Sequence, residues 1–315
     1  MSDNHLIIKP KALNKNNLIA LIAPAGPVKQ EQVDKAQKNL SEMGYRSCYS
    51  KSILSQKGYL AGDDNTRLND LHQAFERKDI DAIVCIRGGY GTSRLVDKLD
   101  YGLIKQNPKI FAGYSDITVL LNSIFQQTGL VTFHGIVGIS AFTEYTKSLF
   151  MSLLSSSKGS FDISTENKNS LQCIIQGRAT GKLAGGNLSL VAGLLGTKYQ
   201  VDFSNKLAFL EDIGEAPYRI DRMLTHLLLS GSLQKASGII LGDFTDCDID
   251  NNQITSENSL SLIEVFKDRL GHLKIPIISG FSFGHIKNQA VFPIGIDAEI
   301  DTSSKSIKLL EPAVY

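Results

Sequence analysis

Residues 109–129 read KIFAGYSDITVLLNSIFQQTG. The first five, KIFAG, have the apolar, bulky composition of a strand. From Asp116 the pattern turns helical and amphipathic, and Gly129 closes it. A strand that passes straight into a helix is the repeating unit of a parallel sheet. The same alternation extends outward on both sides. Upstream, DAIVCI (81–86) is a strand followed by the glycine-rich RGGYG (87–91), and LIALIA (18–23) is a strand stopped by Pro24 and Gly26. Between them Val33, Ala36, Leu40 and Met43 recur at helical spacing and end at Gly44. A second helix, capped by Asp63 or Asp64, carries Leu68, Leu71 and Phe75. Downstream, LVTF (130–133) completes the pattern. These elements predict an α/β domain with a parallel sheet covered by helices on both faces.

The stretch 143–180 changes character, being rich in Ser, Thr, Lys and Asn with weak periodicity. Beyond it, strands are expected at LAFL (207–210), SGIIL (237–241), IPIIS (275–279), AEI (298–300) and SIKLL (306–310). Helices are expected near 187–195, 217–230 and 258–270. At 315 residues the chain is about twice an ordinary domain length. The expected division is therefore an N-terminal α/β domain over 1–145, a linker region over 146–178 and a C-terminal β/α domain over 179–315.

Hydrophobic residues make up 42% and charged residues 21%, which excludes a disordered chain. Thirty-three basic residues against 32 acidic ones leave a net charge of +1, so no global field favours nucleic acid or an acidic membrane. Cys48, Cys85, Cys173 and Cys247 form no CxxC pair and have no histidine at metal spacing. The N-terminal segment has no secretory-signal pattern, and the longest apolar run, around Leu18–Ala25, is far below the roughly 18 residues a membrane span needs. The expectation is a soluble, cytoplasmic protein in a reducing compartment, with no metal or organic cofactor.

Chemistry concentrates at Gly113-Tyr114-Ser115-Asp116. A serine at a sharp strand-to-helix turn is lifted out of the sheet, and the free amides of the following helix start can donate to a developing oxyanion. An ordinary helix cap is the structural alternative. Isoleucine at 117, where a lipase-type elbow has glycine, departs from the esterase pattern. Arg87-Gly88-Gly89-Tyr90-Gly91 follows a neighbouring strand, and its glycines suit an oxyanion or a phosphate. Neither GxGxxG nor GK[ST] is present. Among six histidines, His134 and His285 sit at strand ends and are the candidates for a general base. Glu211, Asp212 and Glu215 are the candidate carboxylates, and spacing leaves all three open. Cys85, inside an apolar strand, reads as a core residue.

Six segments, taken together, resemble the LD-carboxypeptidase family of serine peptidases, which also includes the microcin-immunity peptidases. They are Ala23–Pro27 (APAGP), Arg87–Gly91, Gly113–Asp116, LEDIGEAPYRIDRMLTHL (210–227), GIILGDF (238–244) and GFSFGH (280–285), in the family's order along nearly the whole chain. The resemblance implies a flavodoxin-like or amidotransferase-like N-terminal domain and a smaller, swivelling C-terminal domain. It also implies a Ser115–His285–Glu211 triad, with the backbone N–H groups of Gly89 and Asp116 as oxyanion donors. Family members are commonly homodimers and need no cofactor. The implied substrate is cytoplasmic murein tetrapeptide, cut before its terminal D-alanine during wall recycling. Arg87, with Gly88 and Tyr90 beside it, is the expected contact for the substrate and its free carboxylate. The alternatives are a microcin-immunity-type peptidase acting on a peptidyl-nucleotide amide and a non-catalytic small-ligand binder.

Overall fold

The computed structural model describes residues 6–157, 159–163, 165, 170–248 and 258–315. His5 lies outside them. The chain forms two compact units. The first comprises Met1–Lys158 with Val291–Gly295 and Pro312–Tyr315. Its elements are β1 (Leu18–Ile22), α1 (Gln30–Glu42), β2 (Arg46–Cys48), α2 (Asp64–Glu76), β3 (Ala82–Cys85), α3 (Tyr101–Gln106), β4 (Ile110–Gly113), α4 (Thr118–Thr128), β5 (Thr132–His134) and α5 (Glu144–Ser155). The first five strands lie parallel in the order β2-β1-β3-β4-β5. Every residue of β3 and β4 is buried, as a strand covered on both faces requires.

Local chemistry explains the element ends. Asp63 caps α2 by accepting from the Thr66 amide at 2.8 Å. Gly129, at φ +78°, closes α4. Two expectations change. The run after Ser115 does not enter the α-helix directly, because a 3-10 turn at Ser115–Ile117 precedes α4. Nor is α4 amphipathic, since Thr118 through Phe125 are all buried. Two of its polar side chains turn back on their own backbone: Asn122 Nδ2 donates to Thr118 O at 2.8 Å and Thr128 Oγ1 to Ile124 O at 2.6 Å.

The second unit comprises Gly159–Ala290 and Ile296–Glu311. Its elements are β6 (Phe161–Ile163), β7 (Gln172–Ile175), β8 (Arg178–Asn187), α6 (Leu188–Gly193), β9 (Lys206–Ile213), α7 (Pro217–Leu229), β10 (Gly238–Thr245), α8 (Leu262–Leu270) and β11 (Ile277–Ser279). Strand β12 (Phe292–Ile294) belongs to the first unit, and β13 (Asp297–Asp301) and β14 (Ser306–Leu309) to the second. The sheet order is β6-β14-β13-β8-β9-β10-β11-β7, with β8 to β11 parallel and antiparallel strands on either side. Ile220, Leu224 and Leu227 of α7 and Val265, Phe266 and Leu270 of α8 share one core with Ala208, Leu210, Ile239 and Leu241. Helix α8 starts at Leu262 rather than 258, because Ser261 and Glu264 form a capping box there.

The units differ from a simple division at 145 and 179. Helix α5, across the expected linker start, packs in the first unit, where the Leu13 amide donates to Leu154 O at 2.8 Å. The chain also returns near its end. β12 pairs antiparallel with β5, Phe292 opposite His134, and covers an edge that would otherwise be open. Tyr315 and the 10–12 segment exchange backbone hydrogen bonds.

Candidate active site

In an open parallel sheet, ligands bind beyond the carboxyl ends of the strands where the strand order reverses, here between β1 and β3. Three loops leave those ends: Ala23–Pro27 after β1, Arg87–Gly91 after β3 and Tyr114–Asp116 after β4. Ser115 has φ +65°, a left-handed conformation that a non-glycine residue adopts at a cost of about 1–3 kcal/mol. Such strain at a strand-to-helix turn characterises a presented nucleophile.

The glycine loop lies directly against this serine. A Cβ at Gly88 would fall 2.7 Å from Ser115 Cβ and 2.9 Å from its Oγ. Gly89, at φ +127°, approaches the first loop so closely that a Cβ would meet Gly26 N at 2.9 Å. The Gly26 amide in turn donates to Gly88 O at 3.2 Å. Only glycine permits these approaches. Arg87, half-buried on the same loop, reaches Pro27 O at 3.4 Å. Tyr90 is exposed and stands edge-on to Tyr59 at 5.5 Å between ring centres.

Asp116 is buried, and its carboxylate accepts from the Thr92 amide at 2.9 Å. Thr92 Oγ1 donates to Asp116 O at 2.6 Å. Burial pushes the Asp116 carboxyl above its ordinary pKa, against the opposing pull of the Thr92 and Gly91 donors.

In the second unit, Glu211 on β9 meets His285 in the loop after β11, Oε2 to Nδ1 at 2.8 Å. Glu211 is completely buried, while the imidazole keeps 14% of its surface exposed. Three contacts hold the turn that presents the histidine. The Asp243 amide donates to Phe283 O at 2.8 Å, Gln289 Nε2 to Gly284 O at 2.6 Å and Thr245 Oγ1 to His285 O at 3.3 Å. Gly284 has φ +117°, and a Cβ there would lie 3.1 Å from Glu211 Oε2. Burial raises the Glu211 carboxyl pKa, with neighbouring Asp212 adding to the rise and the imidazole drawing it back.

The three candidate carboxylates separate cleanly by environment. Successive side chains of a strand face opposite ways, so Asp212 points away from Glu211. Asp212 accepts from Asn187 Nδ2, the Ser189 amide and Ser189 Oγ at 3.0, 2.9 and 2.8 Å, anchoring the start of α6. Glu215 pairs with Arg219 at 3.3 Å. Glu211 alone of the three bonds to an imidazole among the described residues. His134 is fully buried on β5, edge-on to Tyr114 at 6.2 Å between ring centres. Cys85 is fully buried and its thiol is pushed up by desolvation, as befits a core residue.

One polar residue of this region escaped the sequence reading. Helix α2 buries Arg67, Leu71, Ala74 and Phe75, whereas Leu68 is only half-buried. Arg67 lies four residues before Leu71, on the same helical face, and that spacing was the available signal. Among the described residues no cluster of three or more His, Cys, Asp or Glu side chains suits a metal ion, and no helix is long and apolar enough to cross a membrane.

The sequence profile of the LD-carboxypeptidase N-terminal domain matches residues 19–135, and that of the C-terminal domain matches residues 180–300. A probable murein peptide carboxypeptidase of Bacillus subtilis is 41% identical over 303 residues, covering 95% of this chain and 93% of the relative. The solved muramoyltetrapeptide carboxypeptidase of Oxalobacter formigenes superposes with a TM-score of 0.80 at 29% identity, over 93% of this chain and 97% of that one. An MccF-like protein of Bacillus anthracis superposes with a TM-score of 0.84 at 30% identity, over 96% and 99% of the two chains. With both domains matched in order and the likeness running nearly end to end, the chain belongs to the LD-carboxypeptidase family of serine peptidases.

Proposed function

We propose that the protein hydrolyses the L,D bond before the terminal D-alanine of murein tetrapeptide, with Ser115, His285 and Glu211 as a catalytic triad. Ser115 Oγ attacks the carbonyl carbon of the scissile bond. His285 Nδ1 faces Glu211, so Nε2 is the atom that takes the serine proton and then delivers it to the leaving D-alanine amine. Glu211 holds the tautomer and stabilises the imidazolium. The resulting acyl-enzyme ester is hydrolysed by water through the same base, releasing the tripeptide and restoring Ser115. The backbone N–H groups of Gly89 and Asp116 stabilise the tetrahedral oxyanion, a donor being worth about 3–4 kcal/mol of barrier. Arg87 receives the free carboxylate as a bidentate partner, with Gly88 and Tyr90 lining its approach.

The observation that carries this reading is the 2.8 Å bond from a completely buried glutamate to a partly exposed imidazole. A general base needs one ring nitrogen oriented by a partner and an imidazole that is not wholly enclosed, and this pair supports both. The names of the murein carboxypeptidase relatives support the substrate class. A homodimer working on peptide in the cytoplasm is part of the same proposal.

The likeness to the MccF-like protein favours a second reading, in which the same triad cleaves a peptidyl-nucleotide amide. Incubating the purified protein with L-Ala-γ-D-Glu-meso-Dap-D-Ala and, separately, with an acyl-sulfamoyl adenylate separates the two. Free D-alanine from the first, with the second left intact, is the expected outcome. Cleavage of the adenylate alone would transfer the site to the second reading. A ligand binder without chemistry leaves both compounds whole.

A further inference from the structure

Arg67 is a charged side chain buried to 1% exposure. Its Nη1 donates to Pro24 O at 2.6 Å and to Gly91 O at 2.9 Å, while Nη2 pairs with Asp64 at 2.7 Å. Pro24 belongs to the loop after β1, and Gly91 ends the loop after β3. One guanidinium therefore ties together the two loops that meet at the Gly26–Gly88 hydrogen bond. The two N–H bonds of Nη1 lie in the rigid guanidinium plane, so they fix both carbonyls in direction as well as distance. Asp64 is itself held by Arg94 at 2.9 Å and Lys98 at 3.4 Å, which anchors the guanidinium to α2.

The opposite side of the glycine loop is gripped one residue later. Thr92 donates its amide to the Asp116 carboxylate and its hydroxyl to Asp116 O, and Asp116 immediately follows Ser115. The last two residues of the RGGYGT segment are thus clamped by two buried ionisable side chains, one from α2 and one from the nucleophile turn. Along the loop only Gly89 and Tyr90 separate Gly88, which lies against Ser115, from the clamped Gly91. The loop's three glycines contribute no side-chain packing, so ties from outside the loop help to set its position.

We propose that Arg67 and the Asp116 carboxylate are positioning residues that hold the Gly89 and Asp116 amides in one frame around Ser115. The inference rests on those two amides being the oxyanion donors. Neither side chain touches the substrate. Each acts through the backbone of the loop, and the Asp116 residue contributes twice, its amide as donor and its carboxylate as brace for the other donor.

The test uses the full chain with Arg67→Lys and Asp116→Asn. Lysine keeps the charge but ends in a single nitrogen, so it cannot span the two carbonyls and Asp64 as Nη1 and Nη2 of the planar guanidinium do. Asparagine keeps the shape but loses one of the carboxylate's acceptor oxygens. Each variant is normalised by titration with a serine-reactive fluorophosphonate, so unfolded protein does not count. Four quantities are read: kcat for D-alanine release, KM, the inhibition constant of a peptide boronic acid, and the Kd of the tripeptide product. The boronate's tetrahedral adduct places an oxygen where the oxyanion forms, and the product does not.

The expected result is a fall in kcat of about 10- to 100-fold with a matching loss of boronate affinity, because a displacement near 1 Å has that effect. KM and product affinity change less than about threefold, following the usual separation of transition-state from uniform binding. Normal kcat per titrated site in both variants, with only a lowered Tm, overturns the proposal and leaves Arg67 and Asp116 as fold-stabilising ties. Equal losses of boronate and product affinity overturn it too, since they indicate general collapse of the cleft wall. Turnover by Ser115→Ala is the separate control: if that variant works, the serine reading itself has failed, whatever Arg67 does.

Discussion

Gly88→Ala isolates the contact between the glycine loop and the nucleophile. Gly88 is not in the left-handed region, so alanine is compatible with its backbone and the whole effect is steric. The new methyl would sit 2.7 Å from Ser115 Cβ, where carbon atoms ordinarily rest about 3.5–4.0 Å apart. A shortfall of about 1 Å must be relieved by Ser115 or by the loop, and either movement separates the hydroxyl from its amides. A misplacement of that size costs on the order of 10²-fold in rate, or about 2.7 kcal/mol of barrier. Stability changes far less, because alanine reduces the entropy of the unfolded chain by about 0.4–1 kcal/mol and offsets part of the clash. The assay is D-alanine release at saturating tetrapeptide, normalised to folded protein, with a thermal melt alongside. A kcat within threefold of wild type would refute the reasoning that the loop sets the serine's position.

Glu211→Gln is expected to lower kcat about 10⁴-fold, the effect of misplacing the tautomer in a related triad. It should also raise Tm at neutral pH. Burial raises the Glu211 pKa, so the folded state holds that proton more tightly than the unfolded chain does. The ionised glutamate consequently costs stability once the pH exceeds its folded pKa, and the gain from glutamine should shrink as the pH falls below it. A Tm advantage that grows toward acid would contradict this sign. For the same reason the acid limb of the kcat/KM profile should lie above the ordinary glutamate pKa of about 4.3, where Glu211 takes up a proton. Full activity persisting down to pH 4 would contradict it. Gly284→Ala forces a side chain into a φ of +117° and against Glu211 Oε2, which should cost about 1–3 kcal/mol and reduce kcat. An unchanged melting curve and rate would show the turn to be permissive.

The first unit was legible because buried parallel strands leave continuous apolar runs, and LIALIA, DAIVCI and KIFAG mark β1, β3 and β4 to within a residue at either end. Short segments were less legible: the three-residue strands β2 and β12 carry too few side chains to show a period. Return of the chain to cover the edge of β5 is a long-range pairing that no local pattern encodes. The amphipathic reading of α4 failed because Asn122 and Thr128 satisfied their polar groups on the helix backbone and became buried, and the small Ser123 was buried alongside them. At the site, spacing alone left Glu211, Asp212 and Glu215 equivalent. Hydrogen bonds to His285, Ser189 and Arg219 distinguish them, and those partners lie from 4 to 74 residues away. Arg67 was missed for the complementary reason: the two partners that give it its place between the loops are backbone carbonyls, which every residue has.

The most direct test of the serine mechanism is the turnover number of Ser115→Ala on murein tetrapeptide, read as free D-alanine against wild type. Loss on the order of 10⁶-fold, with the fold intact, is the predicted result. Release within tenfold of the wild-type rate would contradict the assignment of the nucleophile and, with it, the roles given to His285 and Glu211.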